Sequence, residues 1–315
     1  MADTRLKPAK PLRKTEWPTW GLILLVYGSW LSLILNYHAL TPWVFVVAMT
    51  VTLTLYSSLC HELIHRHPTA SESLNDAFGF IPLGLIFPYR IYKESHLAHH
   101  DNTQLTLPGI DPESYFQCPV GWESHSRLTR FLCHINMTLG GRLLLQPGFA
   151  ALCVLKQAID ELVTKSTPTN RRVMWFGHYI MVAALLGLIS GPLDIGIWHY
   201  VICAYASQAI IQIRSFYEHR PNECEDGRTV MMHASLPMRL LFLNNNYHLV
   251  HHDRPDLAWY EIPAFYRQNQ ASYDARSEGF SVTGYWRWFR YLVSPVESPV
   301  HPVGPEQNFQ RPHIP

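Results

Sequence analysis

From Trp17 to Cys60 the chain carries no Asp, Glu, Lys or Arg. About twenty mostly apolar residues are needed to cross a bilayer core as a helix. The run therefore predicts two spans, about residues 19–38 and 43–60, with His38-Ala39-Leu40-Thr41-Pro42 as the turn between them. A second block, Val173 to Ile213, has Asp194 as its one charge and predicts spans over 173–190 and 195–213, turning at Gly191-Pro192-Leu193-Asp194. Both turns lack Lys and Arg, whereas Lys10, Arg13, Lys14, Arg171, Arg172 and Arg214 lie at the outer ends. Because basic residues stay on the cytosolic side, all outer ends are expected there.

Between the two blocks the pattern is less regular. Phe78 to Tyr89 is apolar but too short to span, and Pro82 and Pro88 break it, so it is expected as a re-entrant or interfacial segment. Residues 124–165 are expected as helices along the membrane surface, because Gly140-Gly141 and Arg142 interrupt the apolar stretch. The uncharged run 143–155 is the part that could enter the membrane. Tyr285-Trp286-Arg287-Trp288-Phe289-Arg290-Tyr291 suits either an interface-lying helix or an aromatic cluster packed on the cytosolic side. The expected fold class is an all-α integral membrane protein: two transmembrane helical hairpins, hence four spans, with a cytosolic, largely helical cap over 61–172 and 214–300. A basic segment, residues 1–18, precedes it and an extended Pro-rich tail, 301–315, follows.

Composition adds exclusions. A net charge of +1, with 16% charged residues and no basic stripe, gives no reason to expect a nucleic-acid partner. The six cysteines contain no CxxC and form no compact framework, which suits reduced thiols.

The candidate chemistry lies in histidine. Of 18 histidines, nine fall in four places. His61-Glu62-Leu63-Ile64-His65 is the first; His96-Leu97-Ala98-His99-His100 and His248-Leu249-Val250-His251-His252 share the form HxxHH; His219 ends RSFYEH. On a helix, residues four apart share a face, so His61 and His65 can address one point, as can the outer histidines of each HxxHH. The middle histidine, three residues along, can turn to a neighbouring centre. Nine imidazoles exceed what one four- to six-coordinate ion uses and suit two metals. Imidazole suits iron, copper, nickel and zinc; zinc has no redox chemistry and would leave most of these histidines unexplained. Glu62, Asp101, Glu218 and Asp253 each adjoin a box histidine and are expected to accept its second ring proton. Asn245, with Asn244 and Asn246, is expected to support the last box.

HELIH, SHLAHH, RSFYEH and NNNYHLVHH on two apolar hairpins resemble the integral-membrane fatty acid desaturase and hydroxylase superfamily, over roughly residues 15–300. The likeness looks closest to short bacterial members, through His61–Thr69, Tyr89–His100 and the DPES segment Asp111–Ser114. The resemblance implies a non-haem di-iron centre with His61, His65, His96, His99, His100, His219, His248, His251 and His252 as ligands, and dioxygen as oxidant. It implies an oxygen-dependent desaturase acting on a fatty acyl or similar chain, with hydroxylase or alkene-forming decarboxylase activity as alternatives on the same scaffold. No HPGG haem-binding segment is present, so electrons are expected from ferredoxin, rubredoxin or a similar carrier with its reductase. A lipid-like substrate and a bacterial inner membrane with the boxes on the cytosolic face complete the expectation. The first box is one residue narrower than in animal acyl-CoA desaturases, and Ser215 stands where those have an Asn before the isolated histidine. Two rivals are weaker. A membrane zinc metalloprotease would use the HExxH of His61, Glu62 and His65 but leaves seven histidines idle. A metal transporter would place its sites within the spans.

Overall fold

The computed structural model describes residues 15–302. Most of the basic N-terminal segment and of the Pro-rich tail, both expectations from sequence, lies outside the described residues.

The architecture is helical, and the only sheet among the described residues is a two-residue parallel pairing of β1 (Met231–Met232) with β2 (Ser281–Val282). Helix α1 (Trp17–Leu35) starts with Pro18 in its first turn, where the missing N–H costs nothing. A short 3₁₀ turn (Tyr37–Ala39) leads into α2 (Pro42–Ile64), which packs against α1. Then follow α3 (Glu72–Gly79), α4 (Tyr89–His100), α5 (Arg127–Asn136), α6 (Leu139–Val163), α7 (Thr169–Ser190) and α8 (Ile197–Ser215). Four short helices finish the chain: α9 (Leu236–Leu241), α10 (His248–Asp253), α11 (Ile262–Gln268) and α12 (Gln270–Arg276).

Four helices are long and apolar enough to cross a membrane: α1, α2, α6 and α7. The chain is a membrane protein, as its exposed apolar side chains require. Leu24, Leu31 and Leu35 on α1, Leu144 and Leu152 on α6, and Val173 and Ile180 on α7 are all exposed, as lipid-facing positions are. Helix α2 is the central one, with Phe45, Met49, Leu53 and Leu59 fully buried against Val26 of α1 and Tyr200 and Cys203 of α8.

By length and composition this set takes in residues 139–163 and leaves out the expected span over 195–213. Residues 139–163, expected along the membrane surface, form a single 25-residue helix. Gly140-Gly141 and Arg142 do not break it; they are its first turn. Thr138 caps the helix by accepting the Gly141 N–H at 2.9 Å. A Cβ on Gly141 would lie 2.0 Å from the Ile135 carbonyl oxygen, and one on Gly140 2.6 Å from that of Leu292. Both glycines therefore serve close backbone approach. Arg142 turns inward, 4% exposed, and does not face lipid. The segment expected as the fourth span is the helix α8, which packs against α2 and α6 and is not one of those four. It is less apolar than the other four because it carries Ser207, Gln208, Gln212 and Arg214.

The apolar link 80–88 is not helical, and its backbone is satisfied by side chains from the long helices. Tyr56 Oη donates to the carbonyls of Gly79 (3.0 Å) and Ile81 (2.5 Å). Tyr200 Oη donates to Leu83 O at 2.9 Å, and His178 Nε2 lies 3.1 Å from Leu85 O. Tyr27 reaches Phe78 O. Irregular backbone in an apolar setting is tolerated only with such partners, since an orphaned buried carbonyl costs about 1–3 kcal/mol. The tyrosines thereby pin α3 and α4, and so the second histidine box, to the helix core. Salt bridges add to this: Lys93 of α4 reaches Glu72 (2.6 Å) and Asp76 (2.8 Å) of α3.

The aromatic run Tyr285–Tyr291 is a 3₁₀ helix with two faces. Tyr285 and Trp288 are buried with Leu139, Phe216, Met232 and Phe242, while Trp286 and Phe289 are exposed.

Candidate metal centre

Four elements carry the histidines to one place. His61 lies in the last turn of α2 and His65 caps it. His96, His99 and His100 end α4, and His248, His251 and His252 occupy α10. His219 follows α8 and is held by an antiparallel bridge to Thr229.

All nine converge, in two groups. His61, His65, His96, His100 and His251 form the first; His99, His219, His248 and His252 form the second. Within each, one ligand nitrogen from every member lies within 4.8 Å of the others. The division follows helix geometry. Positions i and i+4 share a face while i+3 is turned from it, so α4 sends His96 and His100 to the first group and His99 to the second. Helix α10 does the converse, sending His248 and His252 to the second and His251 to the first. The groups adjoin, with the rings of His100 and His252 stacked 4.3 Å apart.

Hydrogen bonding does not account for this packing. His99 Nδ1 lies 2.8 Å from Asp111 Oδ1, His96 Nδ1 3.0 Å from Glu113 Oε1 and His248 Nδ1 3.0 Å from Asn245 Oδ1. Each partner oxygen accepts, which assigns the proton to Nδ1 and leaves Nε2 a lone pair. Yet His96 Nε2 is 3.1 Å from Nε2 of both His65 and His100, and His219 Nε2 is 3.1 Å from Nε2 of both His99 and His248. One nitrogen cannot satisfy both neighbours in either case. His61 Nε2 and His252 Nε2 are buried with no partner at all. Buried lone pairs converging from several directions are a cation's ligand set, and neutral imidazole is its chemistry. The residues fit two metal ions.

Electrostatics favour the ligand form. Burial, reinforced by neighbouring imidazoles, pushes His100 down to about 2 and His219 down to about 3, so both are neutral at pH 7. The same causes hold His248, His251 and His252 well below the usual histidine range. His99 is the exception. Burial opposes its charge, but the bond to Asp111 and the nearby Glu113 raise it. Burial likewise works against the charged forms of Asp111 and Glu113, and the histidines outweigh it and hold both below the usual range.

The model of the fatty acid desaturase family matches residues 37–284. The chain belongs to that family. A search of curated proteins finds no match. As a fatty acid desaturase family member it is an oxidoreductase-type chain, and its two histidine groups are compatible with a di-iron site.

The acids around this desaturase-family centre differ from those expected. Asp101 caps α4, is exposed, and reaches no box histidine. Asp253 accepts from Tyr273 Oη at 3.1 Å and from Arg276 Nη2 at 2.9 Å, and so clamps α12 onto α10. Both are corrected: adjacency in sequence places a helix-terminal carboxylate beside the box, not behind its rings. Glu62 stands 3.9 Å from His61 Nδ1, beyond hydrogen-bond reach, and accepts the Trp259 N–H at 3.1 Å. Glu218 is 3.8 Å from His248 Nδ1 and 3.6 Å from Arg214 Nε. Neither is a bonded acceptor of a ring proton. Asn245 Oδ1 lies 3.0 Å from His248 Nδ1. The acceptors missed are Asp111 and Glu113, with Thr229 Oγ1 3.2 Å from His219 Nδ1. The DPES segment was the available signal, and its two acids are the ones bonded to α4.

Proposed function

We propose that the chain is a membrane-bound, non-haem di-iron, oxygen-dependent desaturase of an aliphatic chain, with the nine histidines as ligands. The observation that carries this reading is the pair of adjoining lone-pair cages, five nitrogens and four. Two irons bound there would supply dioxygen activation and removal of hydrogen from an unactivated carbon. The protein's part is to hold the imidazoles neutral and correctly turned. Burial favours the neutral form, and Asp111, Glu113 and Asn245 turn the rings by fixing the ring protons. A cavity of about 690 Å³ runs beside the cages, with Glu113, Glu218 and His219 in its wall, and is where we place the substrate. Electrons come from a separate carrier such as ferredoxin or rubredoxin.

A hydroxylase, or an alkene-forming decarboxylase, would use the same ligands, because the outcome is set by how the neighbouring carbon is presented. Mass spectrometry of extracts from expressing cells separates them. We expect a product two mass units lighter for desaturation or sixteen heavier for hydroxylation by general redox chemistry, absent from cells making His99→Ala. No difference between the two extracts sinks the reading.

The metalloprotease rival fares poorly because one oxygen of Glu62 is engaged by the Trp259 amide and seven further histidines surround the pair. For topology we propose that the cages face the cytosol of a bacterial inner membrane. With α7 and α8 as the second hairpin and both ends of α6 on the cage side, reporters fused after Ala39 and Leu193 should then read outside and one after residue 120 inside; the opposite pattern overturns the orientation.

A further inference from the structure

The wall of the cavity beside the cages is more polar than an alkyl chain needs, with Gln146, Gln208, Gln212, Arg142 and Arg214 on it. The two cations there are not equivalent. Arg214 has Glu218 at 3.6 Å, and the other acid of the wall, Glu113, is bonded to His96. Arg142 has no carboxylate within ion-pair reach among the described residues. Its Nε donates to Asn136 O at 2.8 Å, its Nη1 to Gln212 Oε1 at 3.4 Å, and its guanidinium lies 3.8 Å over the Tyr115 ring. Its Nη2 is buried with no partner. A guanidinium this buried, without a counter-charge, is among the costliest groups to keep in an interior, and helix propensity does not call for it.

We propose that Arg142 receives the carboxylate of the substrate, so that the chain takes a free, amphipathic carboxylic acid and not its ester or thioester. This rests on the cavity being the substrate site, as above. One guanidinium with a single free nitrogen suits a monoanion; the several phosphates of a nucleotide-linked thioester need more donors than the wall offers. Tyr115 also fixes where the acid lies. Its ring carries Arg142 on its face, and its hydroxyl donates to His219 O at 3.4 Å. Arg142 and the backbone of the ligand residue His219 are one ring apart on the wall of one cavity, so an acid held at Arg142 would present the carbons near its carboxyl group toward the histidines.

Equilibrium dialysis of the purified full chain with labelled octanoate tests this, with methyl octanoate and octanoyl-CoA as competitors. Octanoate should bind at least about tenfold more tightly than methyl octanoate, the gain of one charge-assisted contact. Arg142→Gln should weaken octanoate to the level of the ester while leaving the ester unchanged, which a merely structural loss would not do. Arg142→Lys should restore part of the preference. Equal binding of acid and ester by the wild type, tighter binding of octanoyl-CoA, or an undiminished acid preference in Arg142→Gln each overturns the proposal. If the Gln variant does not fold, the wild-type comparison still decides. Iron content of the same preparation separates this from the function above: two irons with no acid preference defeats the anchor alone, and acid preference without iron defeats the di-iron reading alone.

Discussion

Replacing His65 or His99 with alanine is expected to remove iron from one cage each and to abolish turnover in both cases. His65 belongs to the five-histidine group and His99 to the four-histidine group. Iron should fall from about two per chain to about one in either variant. Activity should drop by more than about 100-fold, beyond the 10–100-fold typical of losing a supporting residue. Metal analysis by mass spectrometry and turnover on the same sample check it. A variant that keeps both two irons and full activity would falsify the di-iron assignment. The pH dependence has a definite sign. Metal binds neutral imidazole, and a free histidine takes a proton near 6.5. Most of the buried ligands hold their neutral form to much lower pH, with His100 at about 2 and His219 at about 3, whereas Asp111 and Glu113 hold His99 above the usual histidine value. As pH falls, the four-histidine cage, which contains His99, should therefore release its ion first, and the five-histidine cage should keep its ion through the ordinary histidine range; raising the pH should release neither.

Asp111→Ala is the second large effect. Its Oδ1 accepts the His99 ring proton at 2.8 Å and the Glu113 N–H at 2.9 Å, and its Oδ2 accepts the Thr106 N–H at 2.8 Å. Losing it frees the His99 ring to turn and leaves two backbone donors unpaired, each worth about 1–3 kcal/mol if buried. Iron affinity at the four-histidine cage should fall about 10–100-fold, while the five-histidine cage keeps its ion. Asp101→Ala, which alters the acid adjoining the box in sequence, should leave both irons in place. Competition with a chelator during dialysis measures each affinity. Equal behaviour of the two variants would remove Asp111 from the site.

Eight of the nine histidines were legible because their spacing is a property of a single helix: i, i+3 and i+4 fix faces before any tertiary contact forms; His219, alone after α8, was legible only through the resemblance of RSFYEH. The sorting of His99 and His251 away from their box neighbours follows from the same rule. Asp111 and Glu113 were not legible as acceptors, since they sit in a loop whose distance from α4 depends on how Thr106 and the DPES turn fold back. Asp101 and Asp253 misled for the converse reason: a residue adjoining a histidine on a helix points away from it.

Composition and periodicity by themselves determined a helical membrane protein, its apolar blocks, and which imidazoles could share an ion, because hydropathy and helical phase are local quantities. Only the packed chain decided that residues 139–163 form one apolar helix with Arg142 turned inward, that tyrosines of the long helices hold the link at 80–88, and which carboxylates stand behind the rings. Those depend on contacts between segments far apart in the chain, where a buried charge or carbonyl must find a partner wherever the fold provides one.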